Sequence, residues 1–152
     1  MKKYKKILII FVSLILLYNL AWVGVFYLKY TPYTDNIPKR ENGIYLLSER
    51  GYHYSVKKPS YLSFTGNLAI TNDEDDLSLI IWPLLTGGYE YGLQILGENN
   101  NFYSVMVDSD MNYLDDENSE SMDKDLVNSL INKRAVEIEA FKSEVNRIWG
   151  IN

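Results

Sequence analysis

The chain has no cysteine, one histidine and four prolines in 152 residues. Without cysteine there can be no disulfide, no thiolate metal site and no thiol nucleophile. A histidine-rich zinc site is excluded as well, and any Ser-His-Asp arrangement would have to use His53. Basic side chains are missing from residues 59–123, which carry 13 acidic ones, and the formal charge of the chain is −5. A nucleic-acid binder needs a basic face, so nucleic acid is not an expected partner. No G-x-S-x-G elbow, Walker loop, H-E-x-x-H pair or dinucleotide fingerprint occurs. Neighbouring carboxylates lie in polar stretches that lack the apolar walls needed to raise a pKa. The chain is therefore expected to be no enzyme and to carry no cofactor. His53 alternates with Tyr52 and Tyr54 and is expected on a polar surface.

Long apolar runs, by contrast, are present. Lys2, Lys3, Lys5 and Lys6 precede an uncharged stretch of 22 residues from Ile7 to Leu28, of which 15 are Leu, Ile, Val or Phe. As a helix it would reach about 33 Å, enough for a hydrocarbon layer of roughly 30 Å. At about 0.3–0.6 kcal/mol per Leu, Ile, Phe or Val, membrane insertion is favoured by several kcal/mol, less the cost of Ser13, Asn19 and Gly24. A cleaved signal peptide has a shorter apolar region and an A-x-A-like site. Here the only alanine in the run, Ala21, stands two places after Asn19, and bulky Trp22, Phe26, Tyr27 and Tyr30 follow. The expectation is an uncleaved, single-pass anchor with the bilayer as its first partner. Lysines ahead of the run place residues 1–6 in the cytoplasm and residues 29–152 outside the cell membrane. Trp22, Tyr27, Tyr30 and Tyr33 suit the outer interface. Lys, Asn, Ile and Tyr supply 52 of the 152 residues, as A/T-rich coding does, which suits a bacterial source.

The remaining 124 residues are enough for one domain. Residues 29–42, with Pro32 and Pro38, are expected to form a non-helical linker. From residue 43 the period becomes two. Gly43–Ser48, the stretch around Tyr52, Tyr54 and Val56, Tyr61–Thr65 with Leu68–Thr71, Leu77–Trp82, the alternation Tyr89-Tyr91-Leu93-Ile95, and Phe102–Val107 read as strands. Their close spacing suits an antiparallel meander, because parallel crossovers need more chain. After Asp123 or Ser121, either of which can cap a helix, the apolar residues Leu126, Leu130, Ile131, Ile138, Phe141, Val145 and Ile148 fall on one helical stripe ending at Gly150. The predicted fold is α+β: an N-terminal transmembrane helix at 7–28, then an extracytoplasmic domain at 43–152. In that domain an antiparallel five- or six-stranded meander sheet is packed by a C-terminal helix.

One acidic stretch has a metal-ligand pattern. Asp108, Asp110, Asn112 and Asp116 occupy positions 1, 3, 5 and 9 of a calcium-loop spacing, where alternate oxygens can converge on one ion. They are the candidate metal ligands. The match stops at Tyr113, where the loop wants Gly, and at Ser119, where it wants a bidentate Glu; Glu120 comes one place late. An acidic turn between strand and helix is the expected reading, and Asp73–Asp76 is expected to be a solvated hairpin turn. The functional expectation is an acidic envelope domain, tethered to the membrane, that binds a protein partner through its sheet face or its acidic loops. The alternatives are a calcium-responsive module and an immunity-type protein that neutralises a secreted toxin.

Overall fold

The computed structural model describes all residues except 1, 41, 42, 62, 75, 99 and 116–122. The chain is α+β. A long apolar helix, α1 (Lys2–Gly24), runs into a π-helical turn (Val25–Lys29) and a short helix, α2 (Thr31–Thr34). Six strands follow: β1 (Tyr45–Glu49), β2 (Tyr52–Lys57), β3 (Asn67–Asn72), β4 (Leu77–Pro83), β5 (Tyr89–Leu96) and β6 (Phe102–Val107). The chain closes with α3 (Lys124–Lys133) and α4 (Ala135–Trp149).

The strands form one open sheet in the order β1-β2-β3-β4-β5-β6, antiparallel throughout. The first hairpin has the turn chemistry that a meander requires. Arg50 and Gly51 both take positive φ, 55° and 81°, in the two-residue turn between β1 and β2, as a twist-matched hairpin turn needs. Period two then sorts the side chains. In β4, Leu77, Leu79, Ile81 and Pro83 are buried and the residues between them are half-buried. The same buried face collects Tyr54, Val56, Leu68, Ile70, Leu93, Ile95 and Val107. The core cluster also takes in Val127 and Leu130 of α3, with Ile138, Phe141 and Val145 of α4. The Phe141 ring stands edge-on to Tyr52 at 5.6 Å, and Trp149 stands edge-on to Tyr54 at 6.1 Å.

Each edge strand is covered at one end. Lys39 bridges to Tyr45, and Leu46 N–H donates to the Pro38 carbonyl at 3.1 Å, so residues 38–40 lie along β1. On the far side Tyr113 bridges to Val107, and Leu114 N–H donates to the Met106 carbonyl at 2.9 Å.

Several expectations change. The stretch 29–42 contains helical turns and buries Tyr30, Thr34 and Ile37. Pro32 sits in the first turn of α2, where its missing N–H costs no hydrogen bond. The first strand starts at Tyr45, not at residue 43, because Gly43 takes φ 83°. The described residues of the stretch 61–65 form no strand: Ser63 N–H donates to the Ser60 carbonyl, and the Ser63 hydroxyl bonds Thr65 instead of a ladder. The single C-terminal helix is two helices. Arg134, at φ −103° and ψ 10°, interrupts it, and Val127 rather than Leu126 joins Leu130 as a buried residue of the first piece. Asp123 caps α3, its side chain accepting from the N–H groups of Asp125 and Leu126. The other proposed cap, Ser121, lies outside the described residues.

Candidate membrane junction and binding face

Residues Lys3–Lys29 form a helix long and apolar enough to cross a membrane, with none of its apolar window buried against the protein. Leu8, Phe11, Leu14 and Leu17 are each about 60% exposed. The helix nevertheless meets the domain at its far end. The Trp22 ring stands edge-on to Tyr61 at 5.4 Å, and Tyr18 edge-on to Phe64 at 5.3 Å. Trp22 Nε1 donates to the Ser60 carbonyl at 2.9 Å, and the Tyr61 hydroxyl donates to Asn19 Oδ1 at 3.0 Å. The Asn19 amide donates back to the Ile15 carbonyl at 2.8 Å. Asn19 and Trp22 thus have partners for their polar groups, which apolar surroundings demand. Counting from Ile7 at 1.5 Å per residue, Tyr18 and Trp22 stand about 17 and 23 Å along the helix.

The chain then locks into the sheet. Tyr30 is fully buried and its hydroxyl accepts the Gly66 N–H at 2.7 Å. Burial pushes the Tyr30 phenol up, and the Gly66 bond offsets part of this. A Cβ at Gly66 would collide with the Lys57 carbonyl and the Tyr30 ring, so the close approach requires glycine. Trp149 Nε1 donates to the Tyr33 carbonyl at 3.2 Å, and the Tyr33 and Tyr89 hydroxyls meet at 3.1 Å.

The face of the sheet opposite the core carries two contrasting rows. Register places Ser48, His53, Thr71, Ser78, Gln94 and Ser104 side by side across all six strands. This row is polar and, with His53 neutral, uncharged. Thr71 and Ser78 hydroxyls bond at 2.9 Å, and the Ser48 hydroxyl meets His53 Nδ1 at 2.8 Å. His53 Nε2 lies 3.4 Å from Asp73 at a half-exposed site. The next row towards α1 is mainly apolar: Leu46, Ser55, Ala69, Ile80, Gly92 and Met106. The Trp82 ring packs against Gly92, where a Cβ would come within 2.8 Å of two of its atoms.

The candidate metal ligands fall in the turn after β6. Asp108 Oδ1 accepts from the N–H groups of Asp110 and Asn112 at 2.9 and 2.8 Å, and the Asn112 amide donates to Oδ2 at 3.0 Å. The Asn112 side chain first, then the backbone, holds the Asp108 carboxyl below its usual range. Met111, not a glycine, takes positive φ of 65°. Asp108 and Asn112 are therefore brought together as donor and acceptor, and Asp110 contributes its N–H. Asp116 lies outside the described residues, as do Ser119 and Glu120. Asp115 pairs with Lys124. Among the described residues no group of three or more His, Cys, Asp or Glu side chains is placed to hold a metal ion.

Two charged clusters had no clear sequence signal. Asp76 is not a solvated turn residue: its side chain is 13% exposed and pairs with Arg134, whose guanidinium also bonds Glu137 at 2.8 Å. Asp75, from the same run, lies outside the described residues. Burial alone would raise the Asp76 carboxyl, but bonds from Asn72 and Arg134 outweigh it and hold the carboxyl low. At the second cluster the Tyr54 hydroxyl donates to Glu144 at 2.7 Å, while Arg147 bonds Glu144 at 2.6 Å and Glu49 at 2.5 Å. Burial and the Glu144 bond push the Tyr54 phenol up to about 12. Glu144 is held low by Tyr54 and Arg147 despite the opposing effect of burial.

No protein-family model, curated protein or solved structure matches the chain.

Proposed function

We propose that the protein is a single-pass membrane protein that holds a protein-binding α+β domain against the outer surface of the cell membrane, with residues 1–6 in the cytoplasm. The observation that carries this reading is the junction. The exposed apolar helix is bonded to the domain through Trp22–Ser60, Tyr61–Asn19 and Tyr30–Gly66, so helix and sheet present one oriented unit. Lipid is the medium that suits a helix apolar on all sides, and the four N-terminal lysines favour the cytoplasmic side. The surface offered to a partner is the face with the Ser/Thr/Gln row and the neighbouring apolar row. It pairs hydrogen-bonding groups with a central aromatic, Trp82, as binding surfaces do.

The test uses the full chain in intact cells. A reporter active only outside the cytoplasm, fused after Asn152, is expected to be active. A photo-crosslinker at Ser104 or Gln94 is expected to capture a discrete partner that the same probe at Asn128 on α3 does not. Release of the protein from membranes by carbonate, or equal capture from both positions, would overturn the reading.

A further inference from the structure

A cleft of about 510 Å³ opens where the anchor meets the sheet. Phe26 and Tyr45 form apolar parts of its wall, and Lys39, Lys57 and Lys58 supply the charge. Among the described residues no carboxylate lines it, and none of the three lysines is in an ion pair. All three lysines line this one cleft, although the chain as a whole is negative. Lys58 is held in place: its ammonium lies 5.0 Å over Phe26 and 5.3 Å over Tyr45, and it donates to the Thr31 hydroxyl at 3.2 Å. An ammonium has three donors, so it retains capacity for a further acceptor.

The height of the cleft says what that acceptor is. Phe26 lies 19 residues beyond Ile7, which is about 29 Å along a helix, against a hydrocarbon thickness of about 30 Å. The cleft therefore stands at the boundary where lipid phosphates begin. We propose that Lys39, Lys57 and Lys58 form a site for the phosphate of an anionic lipid headgroup in the leaflet next to the domain. This rests on the anchor reading given above. Lysine ammoniums and phosphate oxygens make charge-assisted hydrogen bonds, and the Phe26 and Tyr45 rings flank the start of the acyl chains. The same chemistry would accept free phosphate, so the source has to be separated by experiment.

Full-length protein in detergent micelles is titrated with phosphatidylglycerol, phosphatidylcholine or inorganic phosphate and examined by native mass spectrometry. The expected result is one retained phosphatidylglycerol per chain, at least tenfold preferred over phosphatidylcholine and not displaced by millimolar phosphate. Lys39→Gln with Lys57→Gln, both exposed and outside the aromatic contacts of Lys58, should lower the preference severalfold with an unchanged melting temperature. Adding Lys58→Gln should abolish it. Replacing Lys2, Lys3, Lys5 and Lys6 by Gln should leave it intact. Equal retention of the two lipids, displacement by phosphate, or an undiminished preference in the double variant would overturn the proposal. Carbonate extraction is scored separately: wild type lost from membranes counts against the anchor, whereas a membrane-retained protein without lipid preference counts against the cleft alone.

Discussion

The two faces of the sheet come from the same six strands, yet they obey different rules. On the core face, Leu79 and Ile81 of β4 are buried to within 1%, and the other fully buried positions of the strands carry aliphatic or aromatic side chains. One residue along, Ser78 bonds across to Thr71 and its neighbours in the row are Gln94 and Ser104. Volume and apolarity decide the first face; hydrogen-bonding capacity is what the second retains. The lesson is that period two puts packing on one side of a single strand and hydrogen-bonding capacity on the other. Substitutions on the two faces should differ in kind as well as in size.

The largest effect is expected on the core face. Phe141→Asp places a charge in full burial and should abolish cooperative unfolding of the domain, while Phe141→Ala should cost about 3–5 kcal/mol, read from urea denaturation. An unchanged melting temperature for Phe141→Asp would reject the core as described. Gly66→Ala comes next. The added methyl meets a carbonyl and the Tyr30 ring, for an expected loss of about 1–3 kcal/mol, together with changed protease sensitivity between α1 and β3.

Titration sharpens the comparison, because the charged clusters border the core face. Asp76 and Glu144 have carboxyls held low, so their contribution is present above the ordinary carboxylate range of about 4 and is lost as pH falls through their folded values. Urea midpoints should drop between pH 5 and 3, and less so in Asp76→Asn, which should itself cost about 1–3 kcal/mol by leaving Arg134 short of a partner. Tyr54 is raised, so its contribution is present below about pH 10 and lost as pH rises towards 12. Tyr54→Phe should flatten that alkaline limb.

The smallest effects belong to the opposite face and the acidic turn. Ser78→Ala and Ser104→Ala should change stability by less than about 0.5 kcal/mol while reducing partner capture. Calcium below millimolar should shift melting no more than magnesium does, and Asp108→Ala should leave that response unchanged while loosening the 108–112 turn. A calcium-selective shift of several degrees, lost in Asp108→Ala, would reverse this and assign the turn to an ion.

Much of the architecture was legible in the residues. Alternation at Tyr52-Tyr54-Val56 and Tyr89-Tyr91-Leu93-Ile95, cut by Gly51 and Gly87-Gly88, marked strands and hairpins because pleat and turn chemistry are local properties. The apolar run from Ile7 was equally plain. What stayed hidden depends on distant partners. Nothing around Tyr30 predicts that Gly66, 36 residues later, bonds its hydroxyl. Nothing in the run Asp73–Asp76 singles out its last member as the partner of Arg134, 58 residues away. The break at Arg134 escaped the periodicity reading because the apolar stripe continues through it. The metal spacing at Asp108 was visible, but the same spacing serves a carboxylate that accepts its own loop's N–H groups, and sequence does not distinguish the two uses.

The short segments lying along β1 and β6 have a consequence for crowding. A sheet margin with open N–H and C=O groups invites a second copy to add its own strand, and chains confined to a bilayer plane with a common orientation meet margin to margin far more often than chains tumbling in solution. Pro38, with no N–H to offer, and the residues that follow it lie along one margin, and Tyr113 with Leu114 occupies the other. On the reading proposed above, these capped ends shorten the margin that a neighbouring copy in the bilayer plane could extend to the remaining residues of β1 and β6.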